Sequence, residues 1–333
     1  AHAAKRKGSR PVVFLPRAIY KIDRTLVIPA NTPLYLAGDG VYQWPDGTKG
    51  CLLTWTGPAD GGPVLRLEGP SRAVLSDFGV IGPKLGPRRK DGPTPPTLGD
   101  AIAVAGADQR DGRVYLQECN LGATAGIGLL SDGLDETRVQ AIAFEGGGLN
   151  WWSRDWDGVM AADPYFPYPA IRVVGGPKAK AGKGVAGRVE LLGGNTGRYD
   201  VMDGGTLLVR DTWYESNWAP FHMRLRGNGH FILDTGLDAQ YTHPNLKGAG
   251  ATYTLEDFTG TLALLNVGGH YNADNPALVF RGNCAGARVL LLGISGQNGW
   301  LPDLTKTAGA KLTLLNARSG AAIARNPLPA DPD

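Results

Sequence analysis

The sequence predicts an all-β chain wound as a right-handed parallel β-helix, a solenoid of stacked short strands with inserted loops. Three observations carry this. Glycine is over-represented, with 49 of 333 residues beside 24 prolines, and such a density in an apolar chain implies very many tight turns. Short β-rich runs, each ended by Gly, Pro, Asn or Asp, recur with no long pattern of helical period between them. The second half of the chain also repeats in register.

The runs begin at Val12–Leu15, Thr25–Ile28 and Leu34–Leu36, and continue through Leu52–Trp55, Val64–Leu67 and Val74–Ile81. Taken alone they suit a sandwich, a barrel or a solenoid. The second half decides. Gly205, Gly229, Gly260 and Gly286 serve as anchors at steps of 24, 31 and 26 residues. Three places after each stand Leu208, Ile232, Ala263 and Val289, and four places after stand Val209, Leu233, Leu264 and Leu290. Twelve places after come Asn217, Tyr241, Asn272 and Asn298, preceded by Ser216, Gln240, Tyr271 and Gln297. An apolar column and an amide-rich column in register are what stacked coils require, with apolar side chains piled inside and amides bonding from coil to coil.

The segments Pro11–Pro16 (PVVFLP), Tyr20–Pro29 (YKIDRTLVIP) and Leu34–Gly38 (LYLAG) resemble the opening coils of the pectate-lyase-like β-helix superfamily, which includes polysaccharide lyases, polygalacturonases and phage tailspikes. The resemblance implies a solenoid that meets glycans along its length. It does not extend to catalytic signatures. The arginine-proline pair of the lyases is absent, as is the polygalacturonase set of Asn-Thr-Asp, Asp-Asp and Gly-His-Gly. Gly227-Asn228-Gly229-His230 is a partial echo of the last.

Composition narrows the classes further. With 34 basic against 31 acidic residues, the net charge of +3 provides no global field of the kind nucleic-acid binders carry. No apolar run approaches the ~20 residues of a membrane span. Cys51, Cys119 and Cys284 lie far apart, so neither a disulfide framework nor a structural zinc site is expected. No cofactor is expected either: calcium, which the lyases hold with dense Asp clusters, finds no clear acidic cluster. Residues 1–325 read as one β-helix domain, with 1–11 as a basic stub standing for part of a cap and 326–333 as a Pro-rich tail or linker. Open solenoid ends are adhesive, so a homo-oligomer or contact with neighbouring domains of a larger chain is an expected arrangement.

Three stretches interrupt the coils. Pro83–Gly99 holds Arg88-Arg89-Lys90, Leu149–Pro169 is rich in aromatics, and Gly175–Gly187 carries Lys178, Lys180 and Lys183, read as a solvated loop. In the second, Trp151, Trp152, Arg154, Asp155 and Trp156 combine flat faces that stack on sugar rings with groups that bond hydroxyls or carboxylates. A satellite core closing one face of the solenoid would use the same residues. Trp213 and Tyr214 form a second aromatic pair, next to Glu215.

In the glycine register Glu215 and His270 share a column two coils apart, and Asp238 lies one place off in the coil between. Coils ~4.8 Å apart would set equivalent carboxylates at ~5 or ~10 Å, near the separations of retaining and inverting glycosidases. Glu215, Asp238 and His270 are therefore the candidate catalytic residues, with Trp151, Trp152, Arg154, Asp155, Trp156, Trp213 and Tyr214 as substrate contacts and no metal ligands. Arg210, Arg224 and Arg226 could neutralise a uronate carboxylate in a lyase. The expected function is a secreted or cell-surface carbohydrate-active protein, a polysaccharide lyase or glycoside hydrolase acting on a long glycan. The alternative is a non-catalytic glycan-binding or adhesion module, or a structural subunit of an extracellular assembly.

Overall fold

A computed structural model describes residues 11–41, 50–58, 61–69, 71–82, 100–105, 112–122, 127–146, 171–195, 199–216, 221–240, 251–270, 278–297, 307–315, 317–319 and 322–324. Strands of three to eleven residues are distributed between two sheets as the chain advances, and nearly all pair with a counterpart one coil away. The short sheet runs from Leu26–Ile28 through Ile171–Gly175, Tyr199–Met202, Phe221–Gly227 and Ala251–Phe258 to Leu278–Arg281. The long sheet includes Val74–Ile81, Arg113–Gly122, Arg138–Gly146, Arg188–Asn195, Thr206–Ser216, His230–Gln240 and Thr261–His270. Every pairing among these is parallel, which makes the chain a parallel β-helix. At the C-terminal end Ala317–Ser319 and Ala322–Ala324 turn back as an antiparallel pair.

Strand alternation places the core between the sheets. Leu207, Val209, Phe231, Leu233, Leu262 and Leu264 from the long sheet are fully buried, as are Val173, Tyr199, Val201, Met223, Leu225 and Leu255 from the short one. The Tyr199 and Phe231 rings meet across the interior at 5.7 Å between centroids. Each fully buried Leu, Val or Phe side chain contributes about 1.5–3 kcal/mol of apolar transfer. Cys51, Cys119 and Cys284 are free thiols buried in this core; loss of solvation pushes the Cys119 thiol up to about 12.

The glycine register holds for three coils and then slips by one. Gly205, Gly229 and Gly260 accept hydrogen bonds from the N–H groups of His230, Thr261 and Arg288, so the fourth equivalent of the anchor is Ala287 and not Gly286. Ala263 consequently pairs with Leu290, and His270 with Gln297. Burial explains the slip: Val289 and Leu291 point inward and Leu290 outward, and moving a strand by one residue would exchange them. The amide column at Asn217, Tyr241, Asn272 and Asn298 lies outside the described residues, whereas Ser216 does pair with Gln240.

The long sheet bends at a column of positive φ: Asp77, Glu118, Ala143, Gly193, Asp211, Thr235, Asn266 and Gly293 occupy this corner in eight successive coils, with φ between 48° and 67°. The corner residues drop out of the strand pairing, and register resumes beyond them, as between Leu192↔Arg210 and Asn195↔Trp213. A single left-handed residue re-aims the strand without breaking the stack.

Of the three interruptions, 83–99 and 149–169 fall outside the described residues. In the third, Pro177–Lys180 forms one helical turn. The buried Asp135 carboxylate of the preceding coil caps it, accepting from the N–H groups of Lys178 and Ala179 at 2.8 Å each. Lys178 and Lys180 are ion-paired, to Glu136 and Asp203 respectively, both at 2.8 Å.

Candidate functional site

The C-terminal halves of the long-sheet strands hold the residues singled out in the sequence. Glu215 pairs with Ala239 and Ala239 with His270, so Glu215 and His270 stand in one column two coils apart. Asp238 pairs with Tyr214 and Gly269, one column nearer the corner. By backbone register Glu215 and His270 share one column, and Asp238 stands one column away from both. Trp213 belongs to the backbone register line of Asn120, Glu145 and Asn195, two columns from Glu215. Glu145 is an acid in that line which the sequence reading passed over. Trp151, Trp152, Arg154, Asp155 and Trp156 lie outside the described residues. Asp211 proves to be a corner residue, with φ 51°.

The short sheet carries a charged array on its outer face. Outward positions alternate with the buried Ile171, Val173, Tyr199, Val201, Met223 and Leu225. One outward column reads Arg172, Asp200, Arg224, Thr254; the next reads Val174, Met202, Arg226, Glu256, Arg281. Asp200, with a side chain only 2% exposed, sits between two guanidinium groups. Arg172 Nε donates to its Oδ2 at 2.8 Å, and Arg226 Nη2 donates to Oδ2 at 2.8 Å and Oδ1 at 3.1 Å. Beside them Arg224 Nε donates to Glu256 Oε2 at 2.9 Å. Charge-assisted bonds of this kind are roughly twice as strong as neutral ones. Four arginines and two carboxylates make up the array, over a span of four coil steps, ~19 Å.

This array was partly legible. Arg224 and Arg226 were named as uronate partners, and both lie on it; Arg210 lies elsewhere, exposed on the long sheet 4.0 Å from Asp234. Arg172, Asp200, Glu256 and Arg281 were missed. Their signal was the recurrence of a charged residue next to a buried apolar one at the same coil position. Among the described residues no three His, Cys, Asp or Glu side chains converge as metal ligands. No helix among them is long and apolar enough to cross a membrane.

No protein-family model matches the chain, and no curated protein matches it. Solved structures similar to it include DFA-IIIase from Arthrobacter chlorophenolicus A6. Its complex with GF2 has 12% identity over 95% of this chain and 88% of that one, with a TM-score of 0.45. The same enzyme without its lid gives 12% identity, 95% and 86% coverage, and a TM-score of 0.43. Its lidless complex with GF2 gives 13%, 97% and 89%, with 0.44.

Proposed function

We propose that this chain is a carbohydrate-active protein of the cell surface or its surroundings, and that it holds a long acidic glycan along the outer face of the short sheet. The observation that carries this reading is the Arg172–Asp200–Arg226 clamp with Arg224–Glu256 beside it. Carboxylates hold these guanidinium groups in place on this face, and arginine of this kind suits uronate or sulfate groups. A solenoid repeats such donors along its axis, which suits a polymer better than a compact ligand. Long glycans are met outside the cytoplasm, which sets the proposed location.

The proposed chemical step is cleavage within the glycan, by hydrolysis or β-elimination, with Glu215 as acid or base and His270 as its partner in the same column. Trp213 and Tyr214, with the Trp151–Trp156 segment, are proposed as sugar platforms. A second reading, glycan binding without turnover, is favoured by one observation: Asp200 has both oxygens bonded by arginine, so it is not placed to move a proton.

Incubation with a panel of uronate-bearing, sulfated and neutral polysaccharides tests both. The expected result is retention of acidic polymers over neutral ones, weakening as salt screens the contacts. Turnover that Glu215→Gln removes supports the catalytic reading, and retention without product supports the binding one. Equal indifference of the folded protein to all three classes would discard the proposal.

A further inference from the structure

A second cationic feature runs along the opposite edge of the long sheet, where each strand begins. Arg113, Arg138 and Arg188 are direct partners in three successive coils, and Arg72 precedes its strand at the same position in the coil before. Four arginines therefore stack at steps of ~4.8 Å. Like charges directly opposite one another in a sheet are unfavourable, so a column of this kind calls for counter-charge.

Part of that counter-charge comes from the chain. Arg188 is ion-paired with Glu190, which also accepts from Gln140. Burial opposes ionisation of Glu190, but the hydrogen bonds from Gln140 and Arg188 and the charges of Arg188 and Arg138 outweigh it and hold the carboxyl below its usual range. Arg72 is also partnered. Arg113 and Arg138 differ, since among the described residues neither makes a salt bridge or a side-chain hydrogen bond.

These two arginines line a cleft of about 380 Å³ with Asp135, Glu136, Lys178 and the backbone of Gly184–Ala186. The acids of the cleft are committed: Asp135 gives one oxygen to each of two helix N–H groups, and Glu136 is paired with Lys178. What the cleft offers a ligand is therefore positive. Along its wall the N–H groups of Gly184, Val185 and Ala186 donate to no backbone carbonyl among the described residues. Space beside Gly184 is open, with nothing within 4 Å of where a Cβ would stand.

We propose that this cleft is an oxyanion site, in which Arg113 and Arg138 grip one sulfate, phosphate or carboxylate group between adjacent coils. Arginines one coil apart in register can bring two guanidinium forks to one group, and such forks take oxyanions bidentately. The site does not depend on which polymer the short sheet takes, because the two sets of arginines belong to different sheets. The group can arrive as a free inorganic anion or as a substituent of an acidic saccharide.

Calorimetric titration of the full chain with inorganic sulfate, inorganic phosphate and a uronic acid trisaccharide tests this, with thermal melts alongside. Wild-type protein should bind at least one of the three saturably and melt higher in its presence. Arg113→Ala and Arg138→Ala should each weaken binding by about tenfold or more while leaving the anion-free fold intact. Arg138→Lys should fall between, and Lys311→Ala, near the far end of the long sheet and outside both arginine sets, should bind as wild type. Tighter binding of the trisaccharide identifies a saccharide substituent as the ligand, and equal binding of sulfate identifies the free anion. Failure of all three to bind, or unchanged binding by both alanine variants, would overturn the site.

Discussion

Asp100 accepts a hydrogen bond from the Ile127 backbone N–H on Oδ1, at 2.8 Å, while its Oδ2 is buried with no partner. Burial is the main reason that its carboxyl is pushed up to about 6, against an ordinary 3.8; the Ile127 bond and the Arg172 charge oppose the shift without cancelling it. A carboxyl whose folded value is raised binds its proton more tightly in the native state. Its contribution is full below pH ~4, the ordinary value for Asp, and is lost as the pH rises through about 6. The linked change is on the order of 3 kcal/mol. Asp100→Asn keeps an acceptor for Ile127 and removes the titration. Urea unfolding of both proteins from pH 4 to 8 should show a stability difference that shifts in the variant's favour as pH rises. Parallel pH profiles would show that Asp100 does not titrate between native and unfolded states.

Coil spacing leaves no room at Gly260, where an added Cβ would lie 1.7 Å from the Gly229 carbonyl oxygen. The obstacle is backbone, which cannot rotate away, so relief requires the coils to part and the hydrogen bond from Thr261 N–H to Gly229 O to lengthen. Gly260→Ala should cost about 3 kcal/mol or more, the scale of a severe core disruption. Gly184→Ala is the control, in open space, and should be neutral or stabilising by about 0.5 kcal/mol through the unfolded chain. Thermal melts of the two variants check the contrast.

The fold was readable because a solenoid writes itself as columns. Gly205, Gly229 and Gly260 are constrained by coil-to-coil approach, so they recur in the sequence as they do in space. Gly286 misled because glycine is also free to recur in turns; burial of Val289 and Leu291 fixes the true register one residue later. The pairing of Glu215 with His270 followed from that same grammar. The corner column did not, because a left-handed residue leaves no single residue type behind: Asp, Glu, Ala, Gly, Thr and Asn all fill it. The arginine column was missed for a different reason. Arg-Val opens the strands at Arg113, Arg138, Arg188 and Arg288, but the steps between them are uneven, and only the register shows which of them stack.

Thr235 sits at the corner between Asp211 and Asn266 with φ 55°. A β-branched residue is the least suited to this conformation, whereas its neighbours above and below are types that tolerate it. Its hydroxyl gains only a 3.4 Å contact with Asp234 Oδ1 in return. Thr235→Asn should therefore stabilise the protein, by about 1 kcal/mol. Asn266→Thr should destabilise it by a similar amount, since it carries the same strain into the next coil. Reversible denaturation midpoints measure both, and equal midpoints would show that the corner imposes no such strain.

Asp200 ties the short-sheet array together, and its removal separates structural from binding roles. Asp200→Asn leaves Arg172 and Arg226 facing one another without their shared counter-ion. Breaking a buried pair from one side costs about 3–5 kcal/mol, and the partial exposure of these arginines, 13% and 27%, reduces the expected loss to about 2–3 kcal/mol. Replacing all three charged residues is a different experiment. With Asp200, Arg172 and Arg226 all changed to Met, no guanidinium is left without Asp200, and stability should stay closer to wild type than in Asp200→Asn. If the array serves only to hold coils together, that triple variant is an adequate substitute in every assay. If it holds an acidic glycan, the same variant folds and melts normally yet no longer retains acidic polysaccharide. The second outcome is expected, because the triple variant removes two of the guanidinium groups that this reading assigns to the polymer while leaving the coil-to-coil strand pairing in place.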